Sequence, residues 1–417
     1  MQRNNLWTSL LLLALIAALC GSLLPTASCD TKTNAAQSDD ADDDDDDADA
    51  VKVLAVQPPY GPIEGGTAVA VLGRNFIDQA SVTFGDSEAT DFEFISDNEV
   101  RVSTPPADSA GAVRVTLTNA DGGSGSLVNG FRYGGEPVQI DWCNIQHPDN
   151  YVAYEYFPSG TIYGRVYVEG CTEGGERCAE LIGALGYGPT GVDPSTDPTQ
   201  FGWELAEYNT DWPGDEAKEG ENNDEYMAVI PAQSAGQYSY AYRFSGDGGQ
   251  TWTYCDTRDE GADPGFDAGA LGLFEVRDEL QVDWCVIVEG SQARSTAPDV
   301  ESDPIYGQIW IEGITGREVN SPWVSAQIGV GPTSGQGGDP QSQPADYDWF
   351  DAEFNGSSLA PEDNSEYMRG LTRASAGSYG YAFRFSSNNA HSWTYCDTGD
   401  GSNDGFQPGN MGLLTVE

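Results

Sequence analysis

Basic residues are scarce in this chain: Lys and Arg number 18 against 67 Asp and Glu, and histidine occurs twice. So negative a surface repels phosphate backbones, which argues against nucleic acid as a partner. The two histidines, His147 and His391, sit at non-equivalent places among Pro, Asn and Ser, and neither belongs to a Ser-His-Asp or Cys-His arrangement. Nucleophilic catalysis is therefore not expected, and the chain reads as a non-enzyme. Long apolar runs are also missing. After the stretch from Leu6 to Leu19, no segment approaches the roughly 20 apolar residues that a spanning helix needs.

Residues 1–28 carry one charge, Arg3, then that apolar stretch, then the small residues Thr26, Ala27 and Ser28, the pattern of an export signal. The run Leu24-Pro25-Thr26-Ala27-Ser28-Cys29 resembles the lipobox of bacterial lipoproteins. The resemblance implies cleavage before Cys29, its acylation, and an exported chain held by lipid on a bacterial membrane, at the outer membrane or cell surface. Cysteine parity agrees: with Cys20 removed and Cys29 acylated, six cysteines remain for an oxidising compartment. Residues 29–50 hold Asp39, Asp40, Asp42 to Asp47 and Asp49 without apolar periodicity, as expected of a disordered acidic tether.

Residues 51–135 alternate in short apolar pairs, Val69 with Val71, Val82 with Phe84, and Val113 with Val115 and Leu117. Gly61-Pro62, Gly65-Gly66, Gly85-Asp86 and Asp121-Gly122-Gly123 punctuate them at sandwich spacing. Pro58, Gly61, Gly65-Gly66-Thr67, Gly73-Arg74-Asn75-Phe76, Val82-Thr83-Phe84-Gly85, Thr104-Pro105-Pro106, Gly111 and Phe131-Arg132-Tyr133 together resemble an IPT/TIG domain. That resemblance implies an immunoglobulin-like sandwich used for interaction or spacing in bacterial surface proteins, and for DNA contact or dimerisation in some eukaryotic factors. The acidic charge disfavours the DNA role here.

Residues 136–276 and 277–417 are two copies of one unit. Val138-Gln139-Ile140-Asp141-Trp142-Cys143 returns as Leu280-Gln281-Val282-Asp283-Trp284-Cys285, and Trp252-Thr253-Tyr254-Cys255 as Trp393-Thr394-Tyr395-Cys396. Tyr238, Tyr240, Tyr242 and Phe244 alternate with smaller or polar residues, as a core strand with one aromatic face does. Ala235-Gly236-Gln237-Tyr238 resembles the start of the F strand in immunoglobulin-like domains, which implies a corner tyrosine bonded back to the backbone. The fold class expected is all-β: three tandem immunoglobulin-like sandwiches after a signal peptide and a tether.

The simplest cysteine connectivity is Cys143 with Cys255, Cys285 with Cys396, and Cys171 with Cys178 pinning a Gly-rich insertion that the second copy lacks. No cofactor is required. Calcium is the one cation with a candidate loop: Asp397, Asp400, Ser402 and Asp404 place oxygen ligands on a Gly-rich loop, and Asp400-Gly401-Ser402-Asn403-Asp404-Gly405 matches the opening of an EF-hand loop, with Met411 where the bidentate Glu belongs and no flanking helices. A solvated Asx-turn loop is the competing reading. Glu225 and Glu366 share a motif and are expected to serve structural partners. Trp203, Trp212, Trp323 and Trp349 are the candidates for stacking on a sugar. The function expected is that of a non-catalytic surface lipoprotein for adhesion, interaction or spacing, whose partner is a surface protein or a polysaccharide; the alternative is a carbohydrate-binding surface protein.

Overall fold

A computed structural model describes residues 50–417, apart from 174–175, 212–221, 259–264, 289, 317–318, 358–362 and 400–404. The signal, most of the tether and Cys29 therefore lie outside the described residues. What is described is built from strands, with helical geometry confined to single 3-10 turns.

The first sandwich pairs a four-stranded sheet, in the spatial order Lys52–Gln57, Ala68–Arg74, Glu99–Ser103 and Thr90–Ser96, with a five-stranded one. The latter runs Tyr60–Gly61, Ser124–Tyr133, Gly111–Thr118, Ser81–Phe84 and Ser87–Glu88. Period-two alternation turns Val69, Val71, Val82, Phe84, Val115 and Leu117 inward onto Phe76 and Phe131. Two glycine landmarks have steric causes. Gly65 has φ +74, and a Cβ there would meet the Pro105 carbonyl carbon at 2.5 Å; a Cβ on Gly73 would lie 1.9 Å from the Lys52 oxygen.

The duplication read from sequence is a duplication of topology. In the first copy, Trp142–His147, Ile162–Tyr167, Asp224–Ala228 and Glu207–Tyr208 form one sheet. Asn150–Tyr154, Gly272–Arg277, Gly236–Ser245, Ile182–Pro189 and Gly202–Leu205 form the other, with Thr253–Cys255 added to Gly236–Ser245. The second copy repeats both orders. Its sheets are Trp284–Ile287, Ile305–Trp310, Ser365–Arg369 and Glu353–Ser357, and Ala293–Thr296, Gly412–Val416, Gly377–Ser386, Ser325–Gly331 and Asp348–Asp351 with Thr394–Cys396.

The expected aromatic strand is the centre of each core, where Tyr240, Tyr242 and Phe244, and likewise Tyr381, Phe383 and Phe385, are buried. Gly164 and Gly307 are small because Tyr242 and Phe383 rings lie against them. The corner tyrosines are present: Tyr238 Oη donates to the Ser234 carbonyl and Tyr379 Oη to that of Ser375, each at 2.9 Å. All three expected disulfides form, Cys143 with Cys255, Cys285 with Cys396 and Cys171 with Cys178.

Candidate functional site

The tryptophan candidates separate into different environments. The Trp203 indole lies over Gly186, where a Cβ would come within 2.4 Å of the ring, and the Arg243 guanidinium stacks on it at 3.7 Å. Arg243 is itself covered by Trp252 at 4.1 Å. The second copy builds the same ladder from Gly329, Trp349, Arg384 and Trp393, with Arg384 at 3.8 and 4.2 Å from the two rings. Trp203 Nε1 and Trp349 Nε1 donate to the Pro198 and Pro344 carbonyls at 3.0 and 2.9 Å. With a glycine against the ring and a guanidinium stacked upon it, neither Trp203 nor Trp349 offers a face to a sugar, which corrects the expected stacking role. The ladders fasten the edge strands Gly202–Leu205 and Asp348–Asp351 instead, each cation–π contact contributing about 0.5–2 kcal/mol.

Below the guanidinium the copies differ. Arg384 Nε donates to Gln327 Oε1 at 2.9 Å, whereas the position opposite Arg243 is Ala184, and Arg243 Nε is buried without an acceptor. Desolvation by that burial lowers the Arg243 pKa from its usual value.

Trp323 leaves its own domain. It packs edge-to-face on Tyr154 at 5.6 Å and Phe157 at 5.1 Å, and so joins the hydrophobic core of the first copy. The indole is an inter-domain plug, which corrects the sugar-stacking expectation for it. Trp212 lies outside the described residues.

Of the calcium candidates, Asp400, Ser402 and Asp404 also lie outside the described residues. Asp397 is buried, and its two carboxylate oxygens accept the amides of Gly399 at 2.6 Å and Gln407 at 2.5 Å, an Asx-type brace of its own loop. Asp256, its counterpart, takes the Arg258 guanidinium at 2.8 and 3.0 Å and the Asp267 amide at 2.7 Å.

Glu225 and Glu366 stand in hydrogen-bonded rows. Asn209 Nδ2 donates to Glu225 at 2.6 Å; Gln308 Nε2 and Asn355 Nδ2 donate to Glu366 at 3.0 and 2.7 Å. His147 stacks on Tyr163 at 5.3 Å, and His391 packs on Tyr156 of the other copy at 4.4 Å.

Two joints emerge that sequence patterning missed, and both use the same two loops of a repeat. In the first copy the loop before Ile182–Pro189 carries Arg177, whose side chain is almost fully buried. Its Nη1 donates to the Asn129 carbonyl of the first sandwich at 2.8 Å, while Glu180 takes Arg132 at 2.6 Å and Glu207 takes Lys52 at 3.0 Å. The turn after Gly236–Ser245 closes the same joint, a Cβ on Gly248 falling 3.2 Å from Pro58. In the second copy, the equivalent loop carries Trp323, and the equivalent turn places Asn389 Nδ2 3.3 Å from the Tyr156 carbonyl and His391 on its ring.

Behind Arg177, Asp224 is buried and accepts the Cys178 amide at 2.8 Å. Desolvation pushes its carboxyl up to about 7, against the lowering pull of that amide and of Arg177. In the second copy this position is Ser365.

Comparison with known proteins finds similarity over part of the chain. Transcription factor unc-3 of Caenorhabditis elegans is 36% identical over 90 residues, 21% of this chain and 18% of that protein. An amylopullulanase of Thermoanaerobacter thermohydrosulfuricus is 30% identical over 111 residues, 24% of this chain and 7% of that protein. The chain thus spans less than a fifth of the length of either relative. Among solved structures, SGBP-B of a Bacteroides ovatus mixed-linkage glucan utilization locus, in complex with a mixed-linkage heptasaccharide, aligns over 78% of this chain and 67% of its own at 14% identity and a TM-score of 0.18. The segment that carries a family assignment is the first sandwich, where residues 52–133 match the IPT/TIG domain.

Proposed function

We propose that this chain is an exported, non-catalytic surface protein, tethered through lipid on Cys29, whose three sandwiches form a stiff rod for adhesion or interaction. The observation that carries the rod is the pair of joints: a buried guanidinium crossing one boundary and an indole plugging the other. Flexible linkers leave their domains free to reorient, whereas these joints couple neighbouring domains through a buried guanidinium and a half-buried indole that would gain exposure on separation. The non-catalytic reading is supported by Glu225 and Glu366, which are engaged in amide rows, and by histidines that pack on tyrosines.

The tether is tested by fractionating membranes from cells making the native chain or Cys29→Ala. The native chain should partition with membranes and take up fatty acid; equal partitioning and labelling of Cys29→Ala would overturn the anchor. Turnover of polysaccharide, ester or peptide libraries by the full chain, reduced by Glu225→Gln or Glu366→Gln, would overturn the non-catalytic reading.

A further inference from the structure

We infer that the Trp203–Arg243–Trp252 ladder of the first copy is a binding site for a carboxylate, a role that the rod does not supply and that the matching ladder of the second copy does not share.

The copies part at two strand positions. In the second copy Gln327 is paired with Arg384 on one side and with Asp351 on the other. Its Oε1 accepts from Arg384 Nε at 2.9 Å and from Nη2, while its Nε2 donates to Asp351 Oδ1 at 2.8 Å. The guanidinium there has its acceptor, and a carboxylate one amide further on offsets its charge. The first copy has Ala184 in place of Gln327 and Leu205 in place of Asp351. Acceptor and counter-charge are both gone, yet the cation and its two indoles are kept. The polar pair is not needed to hold the edge strand, since Trp203 stacks on Arg243 at 3.7 Å as closely as Trp349 stacks on Arg384 at 3.8 Å.

Among the described residues, Arg243 meets the two indoles and the phenol of Tyr254, its cross-strand neighbour, and no carboxylate is among its partners. Elsewhere this acidic chain pairs its arginines readily: Arg101, Arg132, Arg258, Arg277 and Arg373 each reach an Asp or Glu. Arg243 Nε is buried without an acceptor, whereas the residue as a whole is partly exposed, so a ligand arrives at the terminal nitrogens. A desolvated cation without an anion is unfavourable, and an incoming carboxylate relieves that cost.

The chemistry selects the ligand. A guanidinium presents parallel N–H groups in one plane, matched to the two oxygens of a carboxylate. Indoles at 3.7 and 4.1 Å cover its two faces and, being broader than the guanidinium, wall a slot one planar group thick. Such a slot favours a flat carboxylate entering edge-on over a tetrahedral sulfate. The net charge of −49 repels polyanions, which leaves ligands carrying a single carboxylate.

The test follows the arginine Nε–H resonances of the full chain, labelled with nitrogen-15 arginine and assigned through Arg243→Gln and Arg384→Gln, at constant ionic strength. Acetate and acetyl-alanyl-alanine distinguish a free acid from a peptide terminus, with the peptide amide as the neutral control and sulfate as the tetrahedral one. At least one of the two carboxylates should shift the Arg243 resonance saturably and leave that of Arg384 in place. Ala184→Gln should weaken this binding about tenfold or more, because the new amide takes the guanidinium as Gln327 does. Should that variant fail to fold by circular dichroism, Gln327→Ala with Asp351→Leu, which gives the second copy the residues of the first, should make Arg384 respond saturably. No saturable shift of Arg243, an equal response at Arg384 of the native chain, or sulfate or the peptide amide binding as tightly as the carboxylates would overturn the assignment. So would affinity that survives Ala184→Gln, or an Arg384 that stays silent in the double variant.

Discussion

Arg177 donates through Nη1 to the carbonyl of Asn129 at 2.8 Å, so a loop of the first repeat is bonded to the backbone of the preceding domain by a side chain with almost no solvent exposure. Nη2 of the same guanidinium caps the Leu181 carbonyl, which ties the joint to the start of a core strand. Arg177→Ala should therefore cost about 2–4 kcal/mol, because buried acceptors lose a charged donor. Chemical unfolding would read this cost, and limited proteolysis should open the boundary near residue 135 first.

The second joint is apolar and should respond differently. Trp323→Ala removes a half-buried ring from Tyr154 and Phe157 and should cost about 1–3 kcal/mol. Its effect should be insensitive to salt, whereas the Lys52–Glu207 and Arg132–Glu180 pairs of the first joint weaken as salt rises. Melting curves of both variants at low and high ionic strength separate the two cases.

Asp224 predicts a pH dependence. Its folded pKa, about 7, lies above that of the unfolded chain, so the folded state holds the extra proton between the two values. Its contribution is full below about pH 4 and falls as pH rises toward 7, a loss on the order of 4 kcal/mol at the upper limit. Asp224→Asn should flatten that part of the stability profile and be more stable than the native chain at pH 8. A difference profile between the two chains from pH 4 to 8 measures it; a parallel pair of curves would contradict the assignment.

The disulfides should rank by loop length. Cys143–Cys255 and Cys285–Cys396 close more than 100 residues and should each contribute about 4–5 kcal/mol in the chain-entropy model, against about 2.5 for Cys171–Cys178. Serine replacement of Cys171 and Cys178 should nonetheless loosen the first joint, since Arg177 and Glu180 flank Cys178. Proteolysis near residue 135 should reveal this while the repeat boundary stays protected.

What could be read from sequence was whatever lies within one domain and repeats. Cys143 and Cys255 recur in register, Tyr240 and Tyr242 alternate at period two, and Gly65 and Gly73 mark close approaches of backbone, so pairing, core and turns were all legible. Trp203 and Trp349 were legible as equivalents but not as ladder rungs, because the cover comes from Arg243 and Arg384 on a strand far away in sequence. A signal existed: two arginines at matched positions in an acidic chain. Arg177 and Trp323 had none, since they meet their partners across domain boundaries, the two copies use unlike residues there, and no periodicity encodes such a contact.

Small-angle scattering of the soluble Cys29→Ala chain, with and without Arg177→Ala and Trp323→Ala, tests the rod most directly. The chain with both joints intact should give a profile whose contribution from residues 50–417 is fitted by one arrangement, and the joint variants should shift to a broader distribution of distances. A parent chain that already requires many inter-domain arrangements, with a profile unchanged by either substitution, would contradict the account.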